Sequence, residues 1–481
     1  MAVSPPLYRP RQPEKTAFYR CLEDYWPEFK QSYPYFYEAD YGPLRPVVEK
    51  TVERFLACGI YRHGFARVRC GRCAQEYLLA FSCKTRYFCP SCQAKRVAAF
   101  VQWVTQEVLE PVPHRQLVWT IPKVLRPAFR KDRTLLGHLS RCAWRSLRRY
   151  FQLTLDKEAL PGVILAIQTY GDQLNHHPHA HSLVSEGAWR KEGSFMSVGE
   201  FDQPVLTSLF QHQVLGMLVR ERRLSTDFAE KLRTWRHSGF QVYCGRPVQP
   251  EDRASIQRLA AYILRPSFAA TQVVYDQSSG QVQYQSAKGI TCSMDALDWI
   301  ALVTSHIPDP GEHMVRYYAF YSNVARGKRR LGRDSSEAAT PPSESAGQDC
   351  AAEAFSKARR ASWARLLRQI YEVDPLTCAD CGGRMEIIAF IDQPQTIRKI
   401  LEHLNLWATP PRAPPTPLFA HKLEEFLASL TPEQARRAQV STDSIFWDDV
   451  PTYTRVSVLQ LRHLYLTHFL PFFMPTHPYS V

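Results

Sequence analysis

Asn175-His176-His177-Pro178-His179-Ala180-His181-Ser182-Leu183-Val184 is the stretch on which the reading of this chain turns. On a β-strand alternate side chains share a face, so His179 and His181 project together while Ala180 turns to the core. Two imidazoles about 7 Å apart along the backbone suit a single divalent ion and leave positions open for an oxygen ligand and a phosphate. His177 would share that face if the strand began early; Pro178 has no amide to donate, which predicts a later start. The plainer reading is a loop of histidines that binds nothing. Apolar strand-like runs lie on either side, QLVWTI at 116–121 and VILAIQTY at 163–170. Helical periodicity over 207–224 and 253–264 then makes the region 114–325 an α+β unit.

A metal with open positions can activate a water or serve a protein nucleophile. The second option has a candidate in Leu259-Ala260-Ala261-Tyr262-Ile263-Leu264-Arg265-Pro266. Pro266 ends the helix, which places Tyr262 near its last turn, and Arg265 stands close enough in sequence to hold a phosphate. A phenol with a pKa of ~10 is a poor nucleophile at neutral pH, so it needs a metal to polarise the phosphate it attacks. With 23 tyrosines in the chain, the local sequence alone leaves packing as the ordinary role of Tyr262.

The cysteines give a second signal. Cys70-x-x-Cys73 and Cys89-x-x-Cys92 stand 15 residues apart, each pair on a tight turn, with Gly71 and Pro90 as turn residues. Two such turns predict one closed four-sulfur site, Cys70, Cys73, Cys89 and Cys92, holding a structural Zn²⁺. Cys83 reads as a buried thiol beside it. The lone pair Cys378 and Cys381 is read equally as a plain turn or as a second zinc site. Arg67, Arg69, Arg72, Lys84, Arg86, Lys95 and Arg96 surround the first block, a dressing that suits docking to nucleic acid or to protein.

Composition points the same way. The 481 residues carry a formal charge of +14, with 60 Lys and Arg against 46 Asp and Glu, which favours a polyanionic partner. Arg141, Arg145 and Arg148 recur at helical spacing, and Arg326, Lys328, Arg329 and Arg330 form a basic run; both are candidate DNA contacts, against the plain alternative of a solvated helix face. No run approaches the ~18 apolar residues of a membrane span, and the first residues carry no apolar signal core, so a cytoplasmic location is expected. Thirteen cysteines, four of them in Cys-x-x-Cys pairs, fit a reduced compartment and metal rather than disulfides. The expected organisation is an N-terminal helical region (1–60), a cysteine-rich zinc domain (61–100), the α+β unit (114–325), a flexible linker (326–355), a small C-terminal α/β unit with the last Cys-x-x-Cys (356–407), and a Pro-rich segment with a helical tail (408–481).

Taken in order, CGRC (70–73), FSCKTRYFCPSCQAKR (81–96), IQTYGDQLNHHPHAHSLV (167–184), WRHSGF (235–240), LAAYILRPSF (259–268), MVRYYAFYSNVARGKRR (314–330) and WARLLRQIYEVDPLTCADCGGRMEIIAFI (363–391) resemble the rolling-circle transposases of the family named after insertion sequence ninety-one. The resemblance implies an HUH-type antiparallel sheet flanked by helices, with Mg²⁺ or Mn²⁺ on His179 and His181. It implies single-stranded DNA at the element's ends as substrate and Tyr262 as nucleophile, forming a 5′-phosphotyrosine link that a second DNA end resolves without ATP. Founding members carry two tyrosines four residues apart; position 258 here is Arg and 266 is Pro, as in the single-tyrosine branch, so strand transfer would need a homodimer or a second cycle. The third metal ligand is unassigned: Gln168 is the first candidate, Asp172 and His177 follow, and a glutamine that merely hydrogen-bonds backbone is the alternative. Two other functions share these features. One is a replication or mobilisation nickase, for which no GxxxxGK[ST] motif is present; the other is a zinc-dependent DNA-binding protein with an inactive nuclease site.

Overall fold

The computed structural model describes residues 12–235, 238–329, 377–378, 380–407 and 413–429. Thr16 caps α1 (Ala17–Phe36) by accepting a bond from the Tyr19 amide. The buried face of α1 is aromatic: Phe18, Tyr19, Leu22, Tyr25, Trp26, Phe29 and Tyr33 follow helical spacing. After α2 (Glu38–Tyr41) and α3 (Pro46–Leu56) come the hairpin strands β1 (Phe65–Cys70) and β2 (Glu76–Ala80), then α4 (Pro90–Trp103), with Pro90 in its first turn. The central region supplies β3 (His114–Thr120), α5 (Arg126–Lys131), α6 (Thr134–Thr154), β4 (Leu160–Tyr170), β5 (His176–Trp189), β6 (Phe195–Ser197), α7 (Gln203–Arg220), α8 (Thr226–Thr234), β7 (Gln241–Cys244) and α9 (Arg253–Ile263). A meander of β8 (Val273–Asp276), β9 (Gln281–Gln285) and β10 (Thr291–Asp295) leads into α10 (Ala296–Ser305) and β11 (Val315–Ala319). Beyond residue 376 lie β12 (Met385–Ile391), α11 (Pro394–His403) and α12 (Phe419–Ser429).

The central sheet runs β11-β4-β5-β3-β7, antiparallel throughout, with β6 paired to β5. Both of its faces are covered, which is why β4 is buried from Pro161 to Tyr170 and reads as a continuous apolar run. Leu117, Trp119, Leu165, Ile167, Ala180 and Val184 point to one side, against Leu139 and Leu147 of α6 and Phe210 and Val214 of α7. Ile164, Ala166 and Leu183 point to the other, against Ala260 and Ile263 of α9 and Val101 of α4. The histidine strand begins at His176, earlier than Pro178 suggests. The register between β4 and β5 shifts between Gln168 and Tyr170, so the missing amide of Pro178 falls at an irregularity of the ladder, where it costs no regular bond.

Two expectations about organisation change. The N-terminal helices share a core with the meander and α10: Phe18, Leu22 and Phe29 pack with Phe268, Val282, Tyr284 and Trp299. The C-terminal strand does not belong to a small unit of its own. β12 pairs with β1 to give a three-stranded sheet β12-β1-β2, and Ile397 and Leu401 of α11 pack on Phe65. The greater part of the expected linker, from residue 330 on, lies outside the described residues, as does Arg330. Among the described residues no helix is long and apolar enough to cross a membrane.

Candidate active site and cysteine clusters

Strand alternation brings His179 and His181 to the same face, 7% and 3% exposed, with their Nε2 atoms 2.9 Å apart. Nδ1 of His179 donates to the His177 carbonyl at 2.7 Å, which fixes the proton on Nδ1 and leaves Nε2 as the acceptor that faces His181. The carboxamide of Gln116 on β3 holds Nδ1 of His181 at 3.2 Å. Burial pushes His179 down to about 4, assisted by His177, Arg265 and Arg126. Burial and the neighbouring His179 push His181 down to about 2. Both rings are therefore neutral at pH 7, the form that binds a metal.

Asp252 caps α9 by accepting the Ser255 amide, and the helix delivers Tyr262 one residue before its last. The Tyr262 ring stands edge-on to His181, centroids 4.9 Å apart, and the Arg265 guanidinium lies 4.8 Å over that ring. Lying on the same face, Gln168 is opposite His179 in the β4–β5 register. Its Nε2 donates to the Tyr262 carbonyl at 3.4 Å, while its Oε1 is buried without a hydrogen-bond partner. A buried carboxamide oxygen without a partner, on the strand position opposite His179, is a polar group whose satisfaction must come from something other than the protein's own hydrogen bonds. Asp172, by contrast, is paired with Lys288 at 2.6 Å. The His177 ring sits 5.0 Å from that of His179, with its Nε2 buried and unpartnered.

The cysteines assemble differently from the expected single site. Cys70 and Cys73 meet Cys378 and Cys381, whereas Cys89 and Cys92 meet Cys58 and Cys83; in each group all four sulfurs lie within 4.8 Å of one another. Tetrahedral zinc with Zn–S of about 2.3 Å needs sulfurs about 3.8 Å apart. In the group around Cys58, that sulfur is 3.7 Å from Cys92 and 3.8 Å from Cys89, and Cys83 is 3.6 Å from Cys92. In the other, Cys70–Cys381 and Cys73–Cys378 are each 3.5 Å. Both fit a closed four-thiolate zinc site. Chain direction explains the partition: Cys70 ends β1 and turns back into β2, so it faces β12 on its other edge, while Cys89 starts α4 beside the end of α3. Cys83 thus stands among the four sulfurs that could hold an ion, not beside them. Nothing in the spacing of Cys58, a lone thiol with no partner at Cys-x-x-Cys distance, signals its role.

The basic candidates also sort by position. Arg145 and Arg148 are exposed and Arg141 half-buried on α6, across the sheet from the imidazoles, so any polyanion they hold is not the segment at the histidines. Arg326 stacks over Trp103 at 4.9 Å and Arg329 over Phe320 at 3.8 Å, and both donate to backbone carbonyls; they are built into the fold, and Lys328 is exposed. Sequence reasoning missed Gln116 and Arg126, whose contribution appears only once β3 and α5 are beside β5.

Residues 162–329 match a family described as "Putative transposase", and residues 21–121 match one described as "Transposase zinc-binding domain". The second match contains six of the eight clustered cysteines; Cys378 and Cys381 fall outside it. The chain is 25% identical over 374 residues to the transposase for insertion sequence element IS801 of Pseudomonas savastanoi pv. phaseolicola, covering 73% of this chain and 85% of that protein. It is 23% identical over 320 residues to "Putative transposase y4qJ" of Sinorhizobium fredii, covering 61% of this chain and 79% of that one. No solved structure matches.

Proposed function

The chain belongs to the insertion-sequence transposase family named after insertion sequence ninety-one, and from that premise we propose that it cuts and rejoins single-stranded DNA at its element's ends through Tyr262, on an HUH-type sheet. The observation that carries this reading is the convergence of the His179 and His181 Nε2 atoms, 2.9 Å apart, beside the Tyr262 ring. His179, His181 and Gln168 Oε1 would hold Mg²⁺ or Mn²⁺, which supplies charge withdrawal from the scissile phosphate.

The chain's own residues do the rest. Arg265, above the phenol, holds a non-bridging phosphate oxygen and turns the phosphorus toward Tyr262. The Tyr262 oxygen bonds to phosphorus as the bond from phosphorus to the 3′-oxygen breaks. The phenolic proton passes to solvent, and the 3′-oxygen leaves as a hydroxyl after taking up a proton. The product is a 5′-phosphotyrosine, and attack by the 3′-hydroxyl of another DNA end reverses the step. One phosphodiester-type bond is exchanged for another each time, so no ATP is consumed. With Arg258 and Pro266 where a second tyrosine would stand, the two cleavages require two subunits or two rounds on one tyrosine.

Labelled single-stranded oligonucleotides tiled across the flanks of the gene, incubated with the protein and Mn²⁺, should yield a protein–DNA band that survives denaturation. Tyr262→Phe should abolish that band, a loss of more than about 10³-fold. A band that persists in the variant would assign the nucleophile elsewhere, and failure of every oligonucleotide and metal would leave only a DNA-binding protein.

A further inference from the structure

The last turn of a helix leaves carbonyls with no partner inside the helix. At the end of α9 three side chains take them up. Gln168 donates to the Tyr262 carbonyl at 3.4 Å, Gln93 to the Leu264 carbonyl at 2.8 Å, and Tyr170 to the Arg265 carbonyl at 2.6 Å. Gln168 and Tyr170 come from β4 of the same sheet as the histidines. Gln93 does not: it lies on the first turn of α4, next to Cys92, and is 1% exposed.

The other end of the same carboxamide is also committed. Gln93 Oε1 accepts from the Tyr87 amide at 3.0 Å, inside the loop that Cys83 and Cys89 bracket. That loop holds two residues in the left-handed region, Lys84 at φ 53° and Tyr87 at φ 60°. Residues with a Cβ keep such conformations only where their surroundings fix them. The sulfurs do the fixing: the Cys83 amide donates to Cys58 Sγ at 3.3 Å, and the Thr85 amide to Cys83 Sγ at 3.5 Å. A closed Cys58–Cys83–Cys89–Cys92 site thus sets the loop, the loop and α4 set Gln93, and Gln93 holds the backbone two residues beyond Tyr262.

We infer that Gln93 is a positioning residue for the nucleophile, and that the metal at Cys58, Cys83, Cys89 and Cys92 controls the placement of Tyr262 through it. The proposal rests on the reading of Tyr262 as nucleophile for its catalytic consequence, but not for its mechanical one. Loss of the Gln93 bond frees the Leu264 carbonyl and lets the end of α9 fray, and displacement of a reacting group by about 1 Å costs about 10²-fold in rate.

The test uses the full-length, zinc-loaded protein with Gln93→Leu and Gln93→Glu. Hydrogen exchange over residues 261–268 should quicken at least about tenfold in Gln93→Leu, with zinc content unchanged. Stripping the cluster metals with a strong chelator should bring the wild type to the same exchange rate and add nothing in Gln93→Leu. In single turnover, phosphotyrosine formation at saturating DNA should fall about 10- to 100-fold, with the half-saturating DNA concentration unmoved. Gln93→Glu keeps the volume but loses the donor, so it should quicken the same exchange, again with zinc content unchanged. Unchanged exchange in either variant, or wild-type exchange that does not quicken when the metals are stripped, overturns the proposal. If the wild type forms no adduct the nuclease reading fails, and the exchange measurements still decide the role of Gln93.

Discussion

The two cysteine clusters have the same chemistry and opposite geography. One is assembled from Cys58 to Cys92, a segment that can close within the N-terminal quarter of the chain, and it is seated against the aromatic core of α1 and α3. The other joins residues 305 and 311 positions apart at the edge of a small sheet where Cys73 is exposed. Closing the longer loop costs about 2 kcal/mol more in chain entropy than closing one the length of Cys58–Cys83. That cost is offset by the β1–β12 ladder and by the contacts of α11 with Phe65. The local cluster therefore acts on the enzyme's interior, and the distant one ties the β1–β2 hairpin to the segment that leads into β12. Sequence spacing distinguishes neither job.

The sharpest way to break this contrast is Cys92→Ser. It removes a ligand from the cluster next to Gln93, leaves buried thiols without a cation, and should reduce bound zinc from two per chain to one by metal analysis. A structural zinc carries about 10 kcal/mol or more of folding free energy in small domains. Even a few kcal/mol lost here should lower the thermal midpoint by about 3–5 °C, and adduct formation should disappear with it. A variant that keeps two zinc ions would mean that the three remaining thiols suffice, and the division of labour would be wrong.

Cys381→Ser asks the same of the other cluster. Zinc should again fall to one per chain, but the hydrogen exchange of the α9 end should stay at wild-type rates, because among the described residues no hydrogen bond links this cluster to residues 261–268. The adduct rate should change less than about threefold, within the range of distant and independent sites. Protease should instead separate residues beyond 376 from the rest, since β12 then holds by its ladder and apolar contacts alone. Equal damage to adduct formation in both variants would make the clusters equivalent.

Much of the candidate active site was legible because it depends on local rules. Period-two alternation put His179 and His181 together, and Pro266 put Tyr262 at a helix end. Both follow from backbone geometry within ten residues. The α+β character of 114–325 followed from the same periodicities. The cluster membership was not legible, because spacing reports which cysteines share a turn and not which turns share an ion. Cys70-x-x-Cys73 pairs with Cys378-x-x-Cys381 only through the β1–β12 register, a contact between segments far apart in sequence that no local pattern encodes. The surroundings of the arginines were not legible for a related reason. Arg326 and Arg329 look like a solvent-facing basic run in sequence, yet the aromatic rings of Trp103 and Phe320 reach them only in the fold.

Gly383→Ala gives the gentlest probe of the distant cluster. A Cβ at Gly383 would come within 2.9 Å of the Arg72 Cβ, 3.0 Å of Cys70 Sγ and 3.1 Å of Cys381 Sγ, so the turn must open to admit it. The neighbouring Gly383 amide also donates to Cys381 Sγ at 3.3 Å, a bond that steadies the thiolate. Opening the turn moves two sulfurs of one cluster and none of the other. Competition with a zinc chelator should then show one ion released about tenfold more readily, an effect of the size attached to the surroundings of metal ligands, and one released as in the wild type. The difference between the two ions is the informative quantity. If both loosen together, the clusters are coupled through the β1–β2 hairpin and the loop after it, and the separation of roles drawn from their positions does not hold.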